Sequence, residues 1–155
     1  MGNIDDRIAE LHLELPDPPR PLGSYLTLVR TGPLAYTSGH GPIRIDGSLV
    51  TGRVGLEVST EEAREAARLT GLGLLATLRE HLDSLDSVAS VIKVLGMVNC
   101  DPDFTDHPAV INGCSDLLVE VFGESGRHAR SAVGVGSLPM NIPVEIELII
   151  QLQTP

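Results

Sequence analysis

Two side chains in this sequence have both a type and a setting that chemistry can use. Arg130 stands at the mouth of Ser131-Ala132-Val133-Gly134-Val135-Gly136-Ser137, a run of small residues that leaves room beside a guanidinium. Held there, Arg130 can clamp a carboxylate through two parallel charge-assisted hydrogen bonds, a geometry that lysine cannot reproduce. The same pattern also fits a surface ion pair in an acidic protein, since most arginines are solvated or structurally paired. Glu145 lies between Val144 and Ile146 at the start of a segment that is otherwise apolar at alternate positions. There it can receive a proton or position a water. Glu147, two residues on, fits an ordinary solvent-facing row instead, and the pattern alone leaves both readings open. His40 follows Thr37-Ser38-Gly39 at a strand end, where side chains often meet ligands, although a lone histidine is more often a bystander. No second histidine stands at metal-ligand spacing from it. Cys100 and Cys114 match neither a zinc motif nor a disulfide framework, so both read as buried thiols in a reducing compartment.

Such groups need elements to hold them, and the chain announces these in order. Ile4 to Leu13 reads as a short helix, and Pro16-Asp17-Pro18-Pro19-Arg20-Pro21 forbids regular structure, which sets residues 1–21 apart as a helix and extended arm before a single domain over 22–155. The segments Tyr25 to Arg30 and Pro33 to Ser38, separated by Thr31-Gly32, predict two antiparallel strands joined by a tight turn; Asp46-Gly47 marks another turn. Ser59 with Glu62 forms a capping box that opens a helix running to about Leu82, apolar nearly all round from Ala63 to Leu78. Inside it Gly71-Leu72-Gly73-Leu74-Leu75-Ala76 mimics a dinucleotide fingerprint, but not at the strand-to-helix turn that such a site requires. Val88 to Val98 predicts a strand, and Pro108 and Gly123 bracket a second helix with Val110, Ile111, Leu117, Leu118 and Val121 facing inward. Two strands close the chain. In the last, Val144, Ile146, Leu148, Ile150 and Leu152 alternate with Glu145, Glu147, Ile149, Gln151 and Gln153. This order predicts an α+β layer, a mixed sheet with both helices on one face.

A length of 155 residues suits one hydrophobic core. With 42% apolar residues and 3% aromatics, that core must be filled by Val, Leu, Ile and Ala. Against 21 Asp and Glu stand 11 Lys and Arg, a net charge of -10 that repels a phosphate backbone, so nucleic acid is not an expected partner. The N-terminus lacks the basic and apolar blocks of a signal peptide, and no apolar run approaches the roughly 20 residues that span a bilayer, so a soluble cytoplasmic protein is expected.

Four groups of residues, taken in order, resemble the motifs of the RidA (YjgF) family. They are Gly23-Ser24-Tyr25; Tyr36-Thr37-Ser38-Gly39; Val110-Ile111-Asn112; and Arg130-Ser131-Ala132-Val133 with Leu138-Pro139 and Val144-Glu145-Ile146. The likeness covers about Tyr25 to Leu152, and the closing Arg-to-Glu signature is its most specific part. It implies a chorismate-mutase-like fold assembled as a homotrimer, whose subunit clefts bind small carboxylates and hydrolyse 2-aminoacrylate or its imine tautomer to pyruvate and ammonia. Carried over by position, Arg130 would grip the substrate carboxylate and Glu145 would hold or activate water. Tyr25, Ser38, Gly39, His40, Asn112 and Ala132 would line the cleft. No metal or organic cofactor is implied. Many family members carry cysteine two residues after the arginine and glutamine after Ser-Gly, where this chain has Ala132 and His40. Those departures alter the cleft floor, while the hydrolysis needs no nucleophilic thiol.

If Ser131 to Ser137 and Val144 to Leu152 form a hairpin centred near Asn141, Glu145 pairs near Ser137 and lies roughly 23 Å from Arg130 along the strand. The two could then share a site only if different subunits supply them. Three functions are weighed: the imine deaminase; a non-catalytic trimer that senses a keto acid in the same cleft; and the ribonuclease activity that family labels sometimes carry, which the acidic balance and scarce aromatics disfavour.

Overall fold

The computed structural model describes residues 3–154 and turns the local signals into three helices and five strands. In chain order they are α1 (Ile4–Glu10), β1 (Leu28–Thr31), β2 (Leu34–Thr37), α2 (Thr60–Leu82), β3 (Val88–Asn99), α3 (His107–Phe122), β4 (Ala129–Val135) and β5 (Val144–Leu152). Capping chemistry sets the helix starts. The Ser59 hydroxyl accepts from the Glu62 amide at 3.1 Å, while the Glu62 carboxylate accepts from the Ser59 amide at 2.8 Å. Pro108 occupies the first turn of α3, where a missing N–H costs nothing, and Gly123 ends it at φ 62°. Helix α1 stops at Glu10, short of the expected Leu13, and His12 turns the chain away at φ 52°.

The sheet is mixed, in the order β1-β2-β5-β3-β4, with β3 and β4 parallel and the other neighbours antiparallel. The expected hairpin between β4 and β5 does not form, because β3 lies between them. Burial explains the choice. Val144, Ile146, Leu148 and Ile150 are at most 1% exposed, a row that only a central strand can cover on both flanks. Strand β4, built of small and polar residues, takes the edge instead. The connection from β4 crosses the end of β3, where the Asn99 amide donates to the Pro143 carbonyl at 2.9 Å and its side-chain nitrogen to the Ile142 carbonyl at 3.1 Å.

Helices α2 and α3 pack side by side on one face of the sheet, as predicted, with Leu74, Leu75, Leu78, Ile111, Leu117 and Leu118 fully enclosed. Each such side chain contributes ~1.5–3 kcal/mol through burial. The glycines of the false dinucleotide motif lie within α2, and Gly71 abuts Leu117 and Cys114 of α3. At the same crossing, a Cβ on Gly113 would overlap the Arg64 carbonyl of α2, so the two backbones meet there. Both cysteines are free and buried, and burial pushes the Cys114 thiol up to about 12. Helix α1 lies against α3, with Ile8 buried and the Arg7 guanidinium donating to the Glu120 carbonyl at 3.0 Å. No helix among the described residues is long and apolar enough to cross a membrane.

Candidate functional site

Glu145 is the second residue of β5, on the face turned away from the helices and level with Met97 of β3. Its carboxylate folds over Gly39: a Cβ at that position would stand 2.5 Å from Glu145 Oε1. Only glycine admits this approach. Gly39 lies where one extra residue enters the chain between Tyr36, which pairs with Ile149, and His40, which bridges to Ile146. Such a bulge bends the strand and re-aims its side chains. Ser38, within it, is tied by its hydroxyl to the Leu26 carbonyl at 2.6 Å.

These groups line one cavity of about 520 Å³ with Tyr25, His40, Leu49, Met140 and Ile142; the proline-rich arm adds Pro19 and Arg20 to the lining, and Leu22 follows just after it. Arg20, largely exposed, pairs with Glu80 of α2 at 3.4 Å. Half-burial raises the Glu145 carboxyl above the usual carboxylate range, and the negative charge of Glu147 adds to the effect. A carboxylate raised in this way is a stronger proton acceptor than an exposed glutamate. Met140 and Asn141, both left-handed at φ 55° and 54°, form the turn that launches β5 into the cavity wall.

His40 touches this cavity but does not aim its ring nitrogens at a guest. Nδ1 lies 2.8 Å from the Ser38 carbonyl and Nε2 2.8 Å from the Thr77 hydroxyl of α2. A carbonyl only accepts, so Nδ1 carries the hydrogen and Nε2 accepts from Thr77. Burial holds the imidazole below its usual range, against the pull of the Ser38 bond. The ring thus acts as a neutral brace between the bulge and α2.

Arg130 occupies a different place. It is level with Val94 and, across β3, with Leu148, both of which face the helices. Its Nη1 donates to Asn112 Oδ1 at 2.8 Å and to Ser115 Oγ at 3.0 Å, both on α3. Ser115 in turn meets His128 Nε2 at 2.9 Å, and His128 Nδ1 donates to the Gly126 carbonyl at 2.7 Å. Both hydrogens of Nη1 are therefore committed. The Nε–H and Nη2–H edge, which has no partner among the described residues, is the edge whose parallel donors match a carboxylate. Ala132, two residues along β4, shares this face opposite Gly96.

The candidate residues thus divide into two groups within one chain. Tyr25, Ser38, Gly39, His40 and Glu145 border the cavity; Arg130, Asn112 and Ala132 lie at the junction of β4 with α3. At sheet spacings the Arg130 and Glu145 Cα atoms are about 14 Å apart, closer than the hairpin implied, but their side chains leave opposite faces. Ser115 and His128 escaped the sequence reading. Their signals were present: Ser115 stands three residues after Asn112 on a helix, and His128 two before Arg130 on an extended segment. Among the described residues, no three His, Cys, Asp or Glu side chains converge as metal ligands.

Comparison with known proteins bears on this arrangement as a whole. The chain is 36% identical over 152 residues to protein TCP17 of Trypanosoma cruzi, covering 97% of this chain and 95% of that protein. It is 30% identical over 146 residues to a 2-iminobutanoate/2-iminopropanoate deaminase of Dermatophagoides farinae, covering 91% and 95%. A solved structure of a protein of unknown function from Agrobacterium tumefaciens superposes with a TM-score of 0.88 at 39% identity, covering 97% of this chain and 92% of that one. A family model described as "YjgF/chorismate mutase-like, putative endoribonuclease" matches residues 5–152, so the likeness begins in α1, ahead of the motifs near Tyr25. With the matching fold and the motifs in place, the chain belongs to the YjgF (RidA) family.

Proposed function

We propose that this protein hydrolyses reactive enamine and imine acids, of the 2-aminoacrylate and 2-iminopropionate type, to the 2-keto acid and ammonia. The observation that carries the reading is the Arg130 guanidinium, pinned through Nη1 by Asn112 and Ser115 with its carboxylate-matching edge left over. The name of the mite relative supports it. Because Arg130 and Glu145 leave opposite sheet faces, a site that uses both needs two copies of the chain, in keeping with a homotrimer whose clefts lie between subunits.

In such a cleft, Arg130 of one copy holds the substrate carboxylate while Glu145 of a neighbouring copy holds a water against the imine carbon. The imine carbon is already electrophilic, so orientation and a placed proton acceptor supply most of what the reaction needs. Glu145 takes a proton from the water as its oxygen bonds to carbon, and returns that proton to the imine nitrogen, which receives the C=N π pair, giving the neutral carbinolamine. The carbinolamine then collapses: Glu145 takes the hydroxyl proton as the carbonyl forms and passes it to the nitrogen, and the carbon–nitrogen bond breaks to release ammonia. One water is consumed and no electrons are exchanged, so neither oxidant nor reductant is needed. Tyr25, Ser38 and Gly39 border the space beside Glu145 where the substrate side chain would lie.

The test generates 2-iminopropionate from alanine with an amino acid oxidase, traps it with semicarbazide, and compares wild type with Arg130→Ala. Suppression of the trapped adduct by wild type and its return with Arg130→Ala is the expected result. An adduct that accumulates equally with and without wild-type protein overturns the catalytic reading, and pyruvate binding without turnover would make the cleft a keto acid sensor.

A further inference from the structure

We infer that His128, acting through Ser115, is a positioning residue that fixes the Arg130 guanidinium with its free edge presented to the substrate carboxylate. The inference rests on the carboxylate-binding role proposed above for Arg130 and adds what sets its geometry. The bonds run in one direction only. Gly126 offers a carbonyl, which only accepts, so the hydrogen of a neutral His128 ring sits on Nδ1, 2.7 Å away. Nε2 is then an acceptor, and the Ser115 hydroxyl, 2.9 Å away, must donate to it. That leaves the Ser115 oxygen lone pairs to accept from Arg130 Nη1 at 3.0 Å. Asn112 Oδ1 takes the second Nη1 hydrogen at 2.8 Å. With Nη1 bonded to two points on α3, the guanidinium plane cannot rotate without breaking one of them.

The chain is matched in one protonation state of His128. When the ring is charged, Nε2 becomes a donor, and the Ser115 oxygen faces donors on both sides while its own hydrogen loses its acceptor. A second positive charge then also lies beside Arg130. The carboxylates of the packed elements are engaged elsewhere: Asp116 and Glu120 of α3 by Arg64 and Arg68 of α2, and Glu124 by Arg127. From β3, Lys93 donates to Ser131 at 3.2 Å. Burial holds the His128 imidazole below its usual range; the Gly126 bond opposes this, and the positive charge of Arg130 lowers it further. The Ser115 part of the hold on Arg130 is thus matched while His128 is neutral and weakens once the ring is charged, and the Asn112 bond alone then leaves the guanidinium free to turn.

The experiment compares wild type with His128→Ala, His128→Gln and Ser115→Ala by initial rates on 2-iminopropionate between pH 5 and 8. Glutamine keeps an acceptor for Ser115 but does not titrate. At neutral pH, His128→Ala and Ser115→Ala should each raise KM about tenfold while kcat stays within about threefold, because orienting a carboxylate clamp is ground-state binding. His128→Gln should keep KM near wild type and lose the rise in KM that wild type shows below the ordinary imidazole value of about 6.5. Protonation of Glu145 appears in kcat, which separates the two effects. The combined His128→Ala/Ser115→Ala variant should be no worse than either alone, since both interrupt one path. Unchanged KM in both alanine variants overturns the inference, as does a His128→Gln variant with the wild-type pH profile. Should wild type show no turnover, the deaminase reading fails by itself. The inference is then read from pyruvate affinity by calorimetry, where equal affinity of wild type and Ser115→Ala, or no binding by wild type, refutes it.

Discussion

Gly39→Ala asks most directly whether the Glu145 carboxylate matters where it lies. The new methyl group would stand 2.5 Å from Glu145 Oε1, 2.8 Å from its Cδ and 2.9 Å from its Cγ. Ordinary contacts between such atoms begin near ~3.5 Å, so the carboxyl must retreat by roughly 1 Å. Gly39 is not among the glycines with positive φ, so its backbone accepts alanine. The far end of a flexible side chain gives way at about 1 kcal/mol of rotamer strain, which in a domain of this size lowers Tm by roughly 2–4 °C. Catalysis is far more sensitive: a misplacement of about 1 Å can slow a reaction by ~100-fold. The expectation is therefore a nearly intact fold with kcat down by about two orders of magnitude, measured by semicarbazide competition beside a thermal melt. Because both changes act on one carboxylate, Gly39→Ala/Glu145→Gln should be no slower than Glu145→Gln. A Gly39→Ala variant with kcat within about threefold of wild type, or a double variant whose losses multiply, refutes the assignment of Glu145.

Gly113→Ala should lower Tm far more than Gly39→Ala, by an amount equivalent to about 3 kcal/mol, because the added methyl meets the Arg64 backbone and not a side chain that can swing aside; a chemical denaturation series measures it. Thr77→Val strips the hydroxyl that donates to His40 and leaves a buried ring nitrogen unpaired, at a cost of about 1–3 kcal/mol, read from the same denaturation curves. His40 and His128 both sit below their usual range in the fold, so the folded state binds fewer protons than the unfolded chain just below pH ~6.5. Stability from these rings is complete above that value and is lost as pH falls toward their folded-state pKa; Tm measured against pH should drop there, and less steeply in His128→Gln. Glu145 behaves oppositely: its raised pKa means that ionising it destabilises the fold, so Glu145→Gln should gain stability over wild type as pH rises above ~4.5 and show no gain below.

Much of this molecule was legible in one dimension. The Ser59–Glu62 capping box, Gly123 closing α3 and the alternation through β5 are each written within a few residues, because caps and period-two faces depend on near neighbours. The layer of two helices on a mixed sheet followed from the order of those elements. Family motifs marked Arg130, Glu145, Ser38 and Gly39, and the structure sets the last three around one cavity. The sequence did not tell which strands are neighbours. Close spacing suggested a hairpin of β4 and β5, but pairing is decided by which strand has a core row worth enclosing, and β5 won the centre. Nor could it reveal that His40 spends both ring nitrogens on the backbone and α2, or that Ser115 and His128 stand behind Arg130. Periodicity fixes which residues of one element share a face; only the packed sheet fixes how faces of different elements meet. That is why the opposed directions of Arg130 and Glu145 emerge from tertiary structure alone.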